Sequence, residues 1–141
     1  MSHIAKINLE VKDLDCLKKS CKELGLQFIE GQKDYKWFGR FVGDSPMPKG
    51  LTAEQLGHCD HAIAVPGASY QVGVIKNKNS NSFTLHCDEW SAGGLPRVLG
   101  KGAGKLKQEY TRQVTLKAAK MKHLSVKEER EKDGTIRLTL Y

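Results

Sequence analysis

Two short clusters carry the side chains with the widest chemical range. His58-Cys59-Asp60-His61 and His86-Cys87 lie about 25 residues apart and offer the types that bind zinc, although their spacing matches no zinc framework. The same residues define an acid–base or nucleophilic reading, with Cys59 as nucleophile and His61, His86 or Asp88 as helpers. That chemistry needs a thiolate within hydrogen-bond reach of its base. Cys59, His61 and His86 are therefore the candidate metal-ligating or catalytic residues of an alternative function, a small enzyme or metal-binding protein. In a strand over 82–88, His86 and Cys87 point to opposite faces, so at most one of them joins such a site. The bland reading is a buried Cys87 beside a surface His86.

A second feature is electrostatic. Between Arg97 and Lys122 stand eight cations and one acid, Glu109, a local charge of +7 that equals the net charge of the whole 141-residue chain. A one-sided field of this kind draws anionic partners and speeds their encounter. Lys101, Lys105, Lys107, Arg112 and Lys120 are the candidate anion or nucleic-acid contacts. Gly100-Lys101-Gly102-Ala103-Gly104-Lys105 invites a phosphate-loop reading but fails it, because a Walker motif needs glycine in place of Leu99 and a hydroxyl in place of Leu106. A dinucleotide fingerprint fails as well, since the glycines run G-x-G-x-G with no strand directly before them. What survives is a generic anion site at a helix start. Lys36-Trp37-Phe38-Gly39-Arg40-Phe41-Val42 resembles an RNA-recognition strand but breaks the consensus at Trp37 and Arg40; packing of the loop onto the core is the favoured role of its aromatics.

The elements that must position these residues follow from period and punctuation. Ala5, Ile7, Leu9 and Val11 alternate with polar neighbours, as a half-buried strand requires. Asp13 then caps a helix with the stripe Leu14, Leu17, Cys21 and Leu24, stopped by Gly25, and a second strand covers 26–29. Residues 31–57 read as an irregular, insertion-like loop, broken by Gly39, Gly43, Pro46, Pro48 and Gly50, with one helical turn after Thr52. Strands follow over 61–65, 70–75 and 82–87, the last two paired across a polar turn. Residues 97–123 form a basic glycine loop and helix, with Leu106, Tyr110, Val114, Ala118 and Met121 as its buried stripe. Asp133-Gly134 predicts a type I′ hairpin at the end.

These pieces specify an α+β fold, one domain over 1–141 with an antiparallel sheet of about five or six strands and two helices on one face. At 39% hydrophobic the chain has enough apolar residues for one core. No apolar run approaches the ~20 residues that span a bilayer, so no membrane partner is expected. The four cysteines sit among apolar positions and read as free thiols, not a disulfide framework, which points to a cytoplasmic or equivalent reducing compartment. No cofactor motif is present.

The order of the segments resembles one known family. Met1-Ser2-His3, Asp13-Leu14-Asp15-Cys16-Leu17 with Leu24-Gly25-Leu26, Tyr70-Gln71-Val72-Gly73, Trp90, Gln108-Glu109-Tyr110 and Asp133-Gly134-Thr135-Ile136-Arg137-Leu138 are similar to the hypothetical chloroplast open reading frame thirty-five family of cyanobacteria, algal plastids and other bacteria. The similarity spans nearly the whole chain except 31–57. It implies a domain of unknown function with no catalytic residues to carry over, an accessory role beside an AAA-type ATPase, and a cytoplasmic, plastid or cyanobacterial location. Residue chemistry and resemblance together lead to one expectation, a small basic binding or accessory protein. Its anionic partner, a nucleic acid or an acidic protein surface, would be held through the basic second helix.

Overall fold

The computed structural model describes residues 3–40, 47–48 and 50–141. Five strands, β1 (Ile4–Val11), β2 (Gln27–Glu30), β3 (His61–Ala64), β4 (Gln71–Lys76) and β5 (Phe83–Asp88), form one antiparallel sheet in the order β1-β5-β4-β3-β2. Helix α1 (Leu14–Glu23) and helix α3 (Gly104–Met121) pack on one face. The α+β architecture is thus present, with five strands in the sheet. The C-terminal pair β6 (Val126–Arg130) and β7 (Ile136–Leu140) forms a separate two-stranded ribbon beside α3. A short helix absent from the sequence reading, α2 (Leu95–Leu99), interrupts the glycine-rich segment: Gly94 turns the chain at φ 89°, Pro96 fits the first turn, and Leu95 and Leu99 are buried.

Local chemistry sets the helix boundaries. The Asp13 carboxylate accepts from the Cys16 N–H at 3.1 Å, and Gly25 takes φ 73° just past the last turn of α1. Val11, Leu17, Ile63, Val72, Val74, Leu85 and Leu106 are essentially inaccessible and form the helix-side core. Tyr110 locks α3 to the entrance of α1, its hydroxyl accepting the N–H groups of Lys12 and Asp13 at 3.0 and 3.1 Å.

The buried stripe of α3 differs from the expected one. Leu106 and Tyr110 are buried, but Val114, Ala118 and Met121 are exposed, and Glu109 and Ala119 are buried instead. Steps of four residues advance about 40° around a 3.6-residue helix, so the row 106-110-114-118 winds off the sheet. The terminal hairpin also differs. Its turn is closed by Glu131 N–H on the Thr135 carbonyl and Gly134 N–H on the Glu131 carbonyl, with positive φ at Gly134 alone. A type I′ turn needs positive φ at both central residues, so this is the longer loop with a single left-handed glycine.

The second face of the sheet is covered too. The irregular segment after β2 lies across it, with Tyr35, Leu56, Cys59 and Ala62 in a smaller core and Trp37, Met47 and Leu51 packed around them. Tyr35 packs so closely on Gly73 that a Cβ there would lie 2.3 Å from its Cδ1, and Trp37 stands as close to Gly57, 2.4 Å from Nε1 to a Cβ. Gly73→Ala is expected to cost about 2 kcal/mol of stability in urea unfolding, the scale of overpacking a filled core; a change under 0.5 kcal/mol would mean that this segment is free to move away from the sheet.

Candidate functional site

The basic segment spreads over α2, the turn after it and the length of α3, and part of its charge is spent internally. Arg97 donates from Nη2 to the Gly67 carbonyl at 2.6 Å. Lys117 pairs with Asp13 at 2.5 Å, which holds the Asp13 carboxyl below its usual range and raises the Lys117 ammonium. Arg112 is the most committed of all. Its Nη1 lies 2.9 Å from Glu109 Oε2 and its Nε 2.6 Å from Glu128 Oε1 on β6, and these bonds push the guanidinium pKa up. Arg112, a candidate anion contact in the sequence, is thus an anchor between α3 and the ribbon.

Lys101, Lys105, Lys107, Lys120 and Lys122 have no carboxylate partner among the described residues. Lys107 folds back so that its Nζ lies 3.8 Å from where a Gly102 Cβ would stand, beside exposed Lys101. Lys105 and Lys120 lie on one flank of α3, about 60° apart around the helix and about 22 Å apart along it. The helix starts at Gly104 after a left-handed Ala103, with no side chain capping its first N–H groups. Lys107, about 200° around the helix from Lys105, faces the opposite flank, so the cations are divided between two flanks of α3 and form no closed pocket, and the groove beside Lys105 also carries Glu23 and Asp133. Unpaired cations spread over this length suit an extended polyanion better than one small phosphate.

The Cys59, His61 and His86 group is dispersed. His61 faces the helix side, its ring between Phe28 and Phe83 with centroids 5.4 and 5.9 Å away, and its Nδ1 accepts the Gly31 N–H at 2.9 Å. His86 projects from the second face, next to Gly73 and opposite Lys6. Cys59 donates its thiol to the Gln32 carbonyl at 3.2 Å, and burial pushes its pKa up to about 11, away from thiolate chemistry. Cys87 belongs to the helix-side core, and burial raises its thiol to about 12. His86 is not a surface residue; it is buried like Cys87, because the covering segment closes the face that strand periodicity left open. No group of three His, Cys, Asp or Glu side chains is placed to hold a metal ion among the described residues. Asp88, offered as a helper, is fully buried and accepts the N–H groups of His3, Phe38 and Trp90 at 2.9, 3.1 and 3.0 Å, which makes it a clasp for the chain segments at that end of the sheet.

The aromatic segment after β2 packs inward. Phe38 meets Trp90 edge-on at 5.4 Å, and the Arg40 guanidinium stands 5.6 Å from the Phe38 ring. Phe41 and Val42 lie outside the described residues. No helix among the described residues is long and apolar enough to cross a membrane. Compared with known proteins, the chain matches no family model, no curated protein and no solved structure.

Proposed function

We propose that this protein is a non-enzymatic binding or accessory protein that holds an anionic partner, in the first instance a nucleic acid, through the unpaired lysines of α3 and the turn before it. The observation that carries this reading is the division of the cations. Arg97, Arg112 and Lys117 are spent on internal contacts, whereas Lys101, Lys105, Lys107 and Lys120 are left without carboxylate partners among the described residues, Lys105 and Lys120 on one flank at a separation that matches several successive phosphates. Contacts of this kind position a backbone and carry little sequence information. The separation of Cys59, His61 and His86 offers no support to the rival small-enzyme reading. An acidic surface on an AAA-type ATPase, implied by the family resemblance, is the competing partner.

Fluorescence anisotropy with a labelled duplex at several salt concentrations tests the proposal. Each neutralised phosphate contributes about −0.9 to the log–log slope, so three or four lysine contacts give a slope of about −3. Lys105→Glu with Lys120→Glu is expected to weaken binding at least tenfold and to flatten the slope by about two. Absence of binding at low salt, or indifference to this double variant, would remove nucleic acid as the partner. A nuclease-resistant acidic protein retained by the wild type and lost by the same variant would identify the ATPase-type assembly instead.

A further inference from the structure

The ribbon stands outside the main sheet, and among the described residues each of its strands pairs only with the other. Most edges of this fold are blunted: β2 is four residues long, β1 carries a bulge between Ile7 and Glu10, and β6 is charged at Lys127, Glu128, Glu129 and Arg130. The outer edge of β7 is not. It runs Ile136-Arg137-Leu138-Thr139-Leu140, with neither proline nor bulge. The reciprocal bonds between Ser125 and Tyr141, at 2.7 and 3.0 Å, fix the phase of the ladder, so that Arg137 and Thr139 are spent on β6. Ile136, Leu138 and Leu140 therefore turn their N–H and C=O groups to the open side.

Apolar exposure is concentrated at the same place. Every large apolar side chain exposed among the described residues, namely Val114, Met121, Leu124, Leu140 and Tyr141, belongs to α3, the ribbon or their immediate ends. Ile136 and Leu138 line a groove of about 470 Å³ against Lys107, Thr111 and Thr115 of α3. Charge selects the occupant. Residues 126–140 hold four cations and four acids, so the ribbon, unlike α3, does not repel a second copy of itself. A two-fold axis at Leu138 sets it opposite the partner's Leu138, Ile136 opposite the partner's Leu140 and Arg137 opposite the partner's Thr139. Each outward N–H then meets a carbonyl, the apolar side chains of both copies share the α3 face, and no like charges oppose one another. The corresponding axis on β6 would set Glu128 against the partner's Glu128. We propose that two copies of this chain join edge to edge through β7, merging their ribbons into one antiparallel sheet. A two-stranded ribbon is marginal by itself, and the partner supplies the strands it lacks.

Sedimentation equilibrium of nucleic-acid-free protein over a dilution series, with amide exchange followed by NMR, tests the proposal. The mass is expected to rise with concentration from 15.7 kDa towards twice that value. On association the Ile136, Leu138 and Leu140 amides, open to solvent in the single chain, should gain at least tenfold protection. Leu140→Pro removes one outward N–H and no bond to β6, and should weaken association at least tenfold. Thr139, on the face away from α3, provides a test that leaves the ladder intact. Thr139→Glu gains an opposite charge across the axis in the partner's Arg137 and Thr139→Arg a like one, each twice by symmetry, so their dissociation constants should differ about tenfold, with Thr139→Glu the tighter. This pair decides the matter if Leu140→Pro disorders the ribbon. A single-chain mass throughout the series, a dimer whose three outward amides stay unprotected, or equal association by the two Thr139 variants would overturn the proposal.

Discussion

Arg112→Ala should lower stability by about 3 kcal/mol, more than the loss of any other cation of the basic segment. Glu109 is 4% exposed and takes its hydrogen bonds from Arg112 at 2.9 Å and Gln113 at 2.8 Å. Removing the guanidinium leaves a buried carboxylate with one amide donor, and breaking such a pair typically costs ~3–5 kcal/mol; partial exposure of Arg112 moves the estimate to the low end. The same substitution frees Glu128, so the ribbon loses an anchor to α3. A two-stranded ribbon is marginal by itself, and faster amide exchange in β6 and β7 should accompany the loss. Arg112→Ala combined with Glu109→Gln should recover much of the stability, because the uncompensated charge is gone. Lys105→Ala, by contrast, should stay within about 0.5 kcal/mol of wild type. Urea unfolding of the four proteins is the measurement. An Arg112→Ala variant as stable as Lys105→Ala would show that the guanidinium is exchangeable with the surface lysines and belongs with them among the anion contacts.

That division between structural and available cations marks where the sequence stops being legible. Alternation in β1, β4 and β5 identified the helix-side face, since period 2 and apolar side chains coincide there. The Asp13 cap and the Gly25 stop were equally readable, because capping is local. Arg112 was not, since its partner Glu128 lies sixteen residues away on a different element. Nor was the burial of His86. The layer over it consists of irregular backbone in which Tyr35 and Trp37 are seated on glycines, and no periodicity announces such packing. Once that layer is in place, an ordinary alternating strand is covered on both sides and its polar positions become interior ones.

Stability should fall by about 2 kcal/mol between pH 7 and pH 5, and His86 should account for most of it. Burial, and then the nearby Lys6 ammonium, lower its pKa from 6.5 to about 4. The unfolded chain thus takes up this proton near pH 6.5, whereas the folded protein resists it until about pH 4. Protons bound preferentially by the unfolded state draw the equilibrium towards it, so the contribution is complete above about pH 7, drains as pH falls and reaches about 3 kcal/mol near pH 4. Asp13, whose carboxyl is lowered by Lys117, adds its own loss only at still lower pH. Urea unfolding across this range should show a steep acid limb in wild type and a shallower one in His86→Phe. Superimposable pH profiles would mean that the imidazole is hydrated and titrates normally.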